Sequence, residues 1–247
     1  MLYTFIFSFV GFVLCCFGAS VVFFLKTDNN KTDAFLHSFA SGVMIASSIF
    51  SLIIPAVDYC NDLNLKDYII LPLCFIFACI VFLFLDYLNK ENSKCEINKK
   101  MLVVGVALHN IPEGMSIGFA FASVCVAGAG ASIMPAIMIA LGIGIQNIPE
   151  GSAVSFPLYS SGVSKKNAFW ISALAGFLEV PSAIIAYLIG TNIIGILPFM
   201  LTFSGASMII VATVDLMPEA TAKSKKIALF SMIMGFTLMM LLDLSLG

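Results

Sequence analysis

His109-Asn110-Ile111-Pro112-Glu113-Gly114 and Gln146-Asn147-Ile148-Pro149-Glu150-Gly151 present one pentapeptide twice, 37 positions apart, in stretches otherwise apolar enough to lie in lipid. Each copy offers a coordinating side chain, an amide and a carboxylate within a few residues. A helix puts positions i and i+4 on one face. His109 therefore projects with Glu113 and Gln146 with Glu150, while Asn110 and Asn147 flank the same stripe. The prolines remove a backbone donor and crowd the preceding turn, which leaves the carbonyls of Leu108 and Ile145 without their helical partners. Freed carbonyls inside a membrane helix point to a cavity for a cation.

Outside the motifs the chain stays apolar. Its 247 residues are 60% hydrophobic and 11% charged, with a mean hydropathy of +1.06, which excludes a soluble globular domain and defines an all-α polytopic membrane protein. Eight apolar stretches, near 2–25, 34–57, 68–88, 101–124, 132–158, 168–189, 197–221 and 227–246, are each long enough to cross the bilayer. All twelve basic residues are lysines, and eleven fall in odd-numbered connections, with only Lys66 opposite. By the positive-inside rule those connections are cytoplasmic and both termini lie outside the cell membrane. Residues 2–25 lack a positive n-region and a small-residue cleavage site, so they read as a retained, lipid-facing helix. With no segment long enough for a soluble unit, 1–247 reads as a single transmembrane transporter domain. Cys15, Cys16, Cys74 and Cys79 read as small apolar fillers.

The second stretch carries Ser41, Met44, Ser48, Ser51, Pro55 and Asp58 on one helical stripe. Asp58, Asp62 and Asp67 make its outer mouth acidic, which concentrates cations. His37, off that stripe, reads as a satisfied histidine. Asp86 reads as an interfacial partner of Lys90. Gly114 and Gly118 form a small-x-x-x-small pair that admits a close helix neighbour. Ser41-Gly42 precedes Pro55, and Ser204-Gly205 precedes Pro218, with the same 13-residue step from glycine to proline. The two stretches run in opposite directions, which predicts an inverted repeat of helices 1–3 and 6–8 around the central helices 4 and 5.

Glu113, Glu150 and Glu179 fall inside predicted spans, and Asp215 lies toward the cytoplasmic half of its own. An ionisable group at that depth costs about 2.5–3.5 kcal/mol even on lenient insertion scales. The spans hold no lysine and the chain no arginine, so a bound cation must supply the missing charge. One imidazole, three carboxylates, the amides Asn110, Gln146 and Asn147, and the Met44 thioether suit Zn²⁺, Fe²⁺ or Mn²⁺. Glu113 and Glu150 could bridge two such ions. The runner-up is a membrane-embedded metal-dependent hydrolase using the same ligands. An H-E-x-x-H protease motif does not fit, because position 113 is glutamate.

At these residues the sequence resembles the ZIP (Zrt/Irt-like) family of divalent metal transporters, of the bacterial zinc-uptake type. The twin motif, the E-x-P of Glu179 and Pro181, and the D-L-M-P-E-A segment from Asp215 carry the resemblance. It implies a transport site of Met44, His109, Glu113, Gln146 and Glu150. A second site would add Asn110, Asn147 and Glu179, with Asp58 and Ser51 at the entrance and Asp215 at the exit. It also implies import of Zn²⁺, or Fe²⁺, Mn²⁺ or Cd²⁺, by an elevator-like homodimer with no catalytic cofactor, no ATP and no nucleic-acid partner. Position 147 is Asn where many members have Asp, and position 214 is Val where many have His.

Overall fold

A computed structural model describes residues 1–24, 30–62, 66–89, 97–127, 132–160, 162–191 and 196–246, the side chains at 68, 85, 86, 88, 89, 97–109, 127, 157 and 246 excepted. The described chain is helical throughout. The apolar runs fold as α1 (Leu2–Ala19), α2 (Asn30–Ser47), α3 (Ile54–Asp62), α4 (Asp67–Asn89), α5 (Ile97–Ala127), α6 (Met134–Ser160), α7 (Lys165–Phe177), α8 (Glu179–Gly190), α9 (Leu197–Ile210) and α10 (Met217–Leu246). Among the described residues, five helical stretches are long and apolar enough to cross a membrane, and Ile69–Phe84 is a shorter apolar helix. The last stretch, Leu197–Ser245, runs for 49 residues. Inside it Ser224 leaves helical geometry at φ −162° and ψ 100°, between two of the predicted spans.

Local chemistry sets the joints. Gly162, with φ 95°, closes the turn after α6, and Ser164 then caps α7 by accepting the Asn167 N–H at 3.2 Å. α7 and α8 part at Leu178 because Pro181 has no N–H to give the preceding turn. That break puts Glu179 in the first turn of α8, where the positive end of the helix dipole favours a carboxylate. A π-helical turn, Ser48–Ile53, joins α2 to α3, and a second, Val211–Leu216, joins α9 to α10. Each begins seven residues after the serine of its Ser-Gly pair and seven before its proline. α5 and α6 run unbroken through Pro112 and Pro149.

α2 packs along α10, α1 along α6, α5 along α8 and α4 along α9. The main core joins Met44, Ile117, Phe119, Ile143, Leu201 and Met208. α1 departs from its expected role as a lipid-facing support. Phe9 and Phe17 are exposed, but Thr4, Ser8, Gly11, Cys15 and Gly18 form a buried small-residue face. A Cβ on Gly18 would strike the Ile148 carbonyl, and one on Gly151 would strike that of Cys15. These glycines therefore set the close approach of α1 to the second motif. Gly114 and Gly118 do the same on α5, lying against the α8 backbone at Glu179 and Ala183. The small-x-x-x-small reading is met there, with α8 as the neighbour.

Candidate metal centre

Three helices bring the buried acids together. Glu113 on α5, Glu150 on α6 and Glu179 at the start of α8 are all buried and close enough to interact electrostatically. Gln146 Nε2 donates to Glu113 Oε1 at 2.7 Å, and its Oε1 accepts from Ser47 Oγ on α2. The same nitrogen lies 3.5 Å from Met208 Sδ on α9. Asn147 Nδ2 donates to Glu179 Oε2 at 2.5 Å. Both amides of the second motif thus orient a carboxylate belonging to another helix.

Satisfaction is incomplete. Among the described residues, Glu113 Oε2, Glu179 Oε1, Asn147 Oδ1 and both amide atoms of Asn110 are buried without a hydrogen-bond partner. An unmet buried polar atom costs on the order of 1–3 kcal/mol, so such a group, all acceptors but for Asn110 Nδ2, calls for a cation or water. Among the described residues, no three His, Cys, Asp or Glu side chains are arranged to hold a metal ion as they stand. The cluster therefore matches a preformed scaffold more closely than a closed cage.

The predicted residues divide accordingly. Glu113, Gln146, Asn147, Glu150 and Glu179 converge, and Asn110 is buried on the α5 motif. Met44 is buried in the main core. The side chain of His109, and that of Asp86, lie outside the described residues. Ser51 and Asp58 lie apart from the cluster, in a cavity of about 640 Å³ where α3 and α10 end and α6 begins. Asp215 is half-buried on the second π-helical turn.

Several residues at these places escaped the sequence reading. Asp243, half-buried on α10, lines the cavity and accepts from Ser51 Oγ at 2.5 Å. Met208 brings a thioether to Gln146. Gly11 lies against the cluster, since a Cβ there would come 2.6 Å from Glu179 Oε1 and 3.0 Å from Asn147 Nδ2. Cys15, one turn on, is buried within electrostatic reach of Glu150, Glu179 and Glu113, where it had read as filler. The 4-3-4-3 spacing of Thr4, Ser8, Gly11, Cys15 and Gly18 was the available signal.

The arrangement defines a helical membrane protein with carboxylates and amides gathered between its helices, a chemistry suited to a cation. A profile of the family described as ZIP zinc transporter matches residues 89–243, and the chain belongs to that family. It is 43% identical over 152 residues to zinc transporter ZIP11 of Xenopus tropicalis, covering 60% of this chain and 44% of that protein. With zinc transporter ZIPB of Bordetella bronchiseptica it shares 30% identity over 251 residues, covering 96% and 79%. With zinc transporter ZupT of Clostridium perfringens it shares 36% over 161 residues, covering 61% and 53%. The chain spans less than half the length of the ZIP11 proteins it matches.

Proposed function

We propose that the chain carries a divalent transition-metal ion, zinc foremost, across the cell membrane into the cytoplasm through the cluster of Glu113, Glu150 and Glu179. The observation that carries the reading is three buried carboxylates side by side, two of which, Glu113 and Glu179, each keep an unmet oxygen beside an amide donor. Relatives named zinc transporters support the choice of ion. His109 and Met44 complete a first site with Glu113, Gln146 and Glu150. Asn110, Asn147 and Glu179 form a second that shares the two motif glutamates.

The ion enters through the cavity of Asp58, Ser51 and Asp243 and leaves past Asp215. Eight spans follow if Leu197–Ser245 is divided at Ser224. Two features support an inverted repeat: the matched π-helical turns, and the pairing of α1 with α6 and α2 with α10 against α8 with α5 and α9 with α4. Such a repeat suits alternating access by an elevator-like shift within a homodimer.

Uptake of radioactive Zn²⁺ into proteoliposomes tests the reading. Wild-type protein should accumulate the ion without ATP, and Glu113→Ala should not, while eluting as the same monodisperse species. Wild-type uptake by that variant would refute the site.

A further inference from the structure

The end of the molecule opposite the acidic cavity holds a second ionisable group. His37 is buried near the start of α2, and its Nδ1 lies 2.8 Å from the Asp33 carbonyl oxygen and 3.2 Å from Asp33 Oδ1. A carbonyl only accepts, so the ring proton sits on Nδ1. Nε2 is then left with its lone pair. That atom faces Glu219 Oε2, at the start of α10, across 3.3 Å, and it meets no hydrogen-bond geometry among the described residues. Two acceptors facing one another need a positive centre between them, a second ring proton or a metal ion.

We propose that this centre is a divalent metal ion, held by His37 Nε2 and the Glu219 carboxylate. Zinc–nitrogen and zinc–oxygen bonds of about 2.0–2.1 Å at the tetrahedral angle hold two donors about 3.3 Å apart, the spacing observed here. A metal-bound imidazole ordinarily gives its other N–H to a carbonyl or carboxylate, which fixes the ring. Asp33 supplies both. Lys223 Nζ pairs with Asp33 Oδ2 and neutralises that acid, which leaves Glu219 as the anionic ligand. Glu219 is half exposed while His37 is buried, so water can complete the shell from one side. A site with two protein ligands binds weakly, which suits an ion about to be released. It rests on the import reading for its place in the path, and not for the binding itself.

The test uses the full chain in nanodiscs with Glu113→Ala, which disables the central cluster. Zn²⁺ binding is measured by equilibrium dialysis and Co²⁺ by its visible d–d absorption. One weak site per chain should remain. Adding His37→Gln or Glu219→Gln should weaken Zn²⁺ at least tenfold and remove the Co²⁺ bands. Glu219→Gln alters a half-exposed side chain and guards against a folding defect. If neither second substitution changes binding, or if Glu113→Ala alone holds no Zn²⁺, the site is refuted and His37 is an ion-pair partner only. A wild-type chain that binds here but shows no flux in liposomes would refute transport and leave this site standing.

Discussion

Glu113, Glu150 and Glu179 meet mid-molecule among amides, a thioether and the Cys15 thiol, whereas Asp33 and Glu219 meet at one end with His37 and Lys223 between them. Burying a charge costs several kcal/mol unless something opposes it. The end cluster carries its own cation. The described partners of Glu113 and Glu179 are neutral amides, so under the proposed function their balance is left to the transported ion. Both clusters join helices distant in sequence, yet only the end cluster has a lysine built into it.

The largest test of that contrast removes a central acid. Glu113→Ala should cut zinc uptake at least about a hundredfold, near 2.7 kcal/mol, with little change in melting temperature, because it also removes an unmet buried acceptor. The next converts one cluster into the other. Gln146→Lys would put an ammonium beside Glu113, where Gln146 now donates at 2.7 Å, and should lower uptake about thirtyfold without loss of stability. Wild-type flux from that variant would show that the missing counter-charge is immaterial.

Lys223→Met breaks the end cluster instead. Asp33 is buried, but the Lys223 side chain is 30% exposed, so solvent screening trims the loss to about 1–2 kcal/mol. The melting temperature should fall by about 2–6 °C, with zinc uptake per folded molecule within twofold. A large loss of uptake at unchanged stability would move Lys223 from the fold to the transport path.

Gly11→Ala acts from a third side. Its new methyl would press on Glu179 Oε1 and Asn147 Nδ2, both movable side-chain atoms, so α1 can stay in place while the acid shifts. Uptake should fall about fivefold, near 1 kcal/mol, and circular dichroism should not change. Gly18→Ala meets the Ile148 backbone carbonyl instead and should lower stability.

The twin motif and the E-x-P of Glu179 and Pro181 were legible because ionisable residues at helical spacing have no ordinary place in apolar sequence. Membrane helices also leave few alternatives for the backbone. The partners of those acids were harder to read. Which amide serves which carboxylate depends on how α5, α6 and α8 are rotated against one another, and spacing within one helix does not encode that. Gly11 and Cys15 resemble ordinary packing residues, and Met208 any core thioether. His37 read as a satisfied histidine, and only the fold brings Glu219 to its Nε2.

The smallest expected effect lies in the cavity, where the contrast is between an acid that binds and acids that gather. Asp243 accepts from Ser51 and keeps its Oδ2 buried without a described partner, while Asp58 and Asp62 are exposed. An exposed carboxylate raises the local cation concentration through a field that salt screens over about 8–10 Å. Asp243→Asn should therefore raise the KM for zinc about twofold and leave the maximal rate unchanged, because passage through the central cluster is unaltered. The increase should shrink at high ionic strength if Asp243 only gathers ions. If it instead ligates the ion during entry, the increase will persist in salt and the maximal rate will fall with it, which would extend the binding path from the central cluster to the mouth.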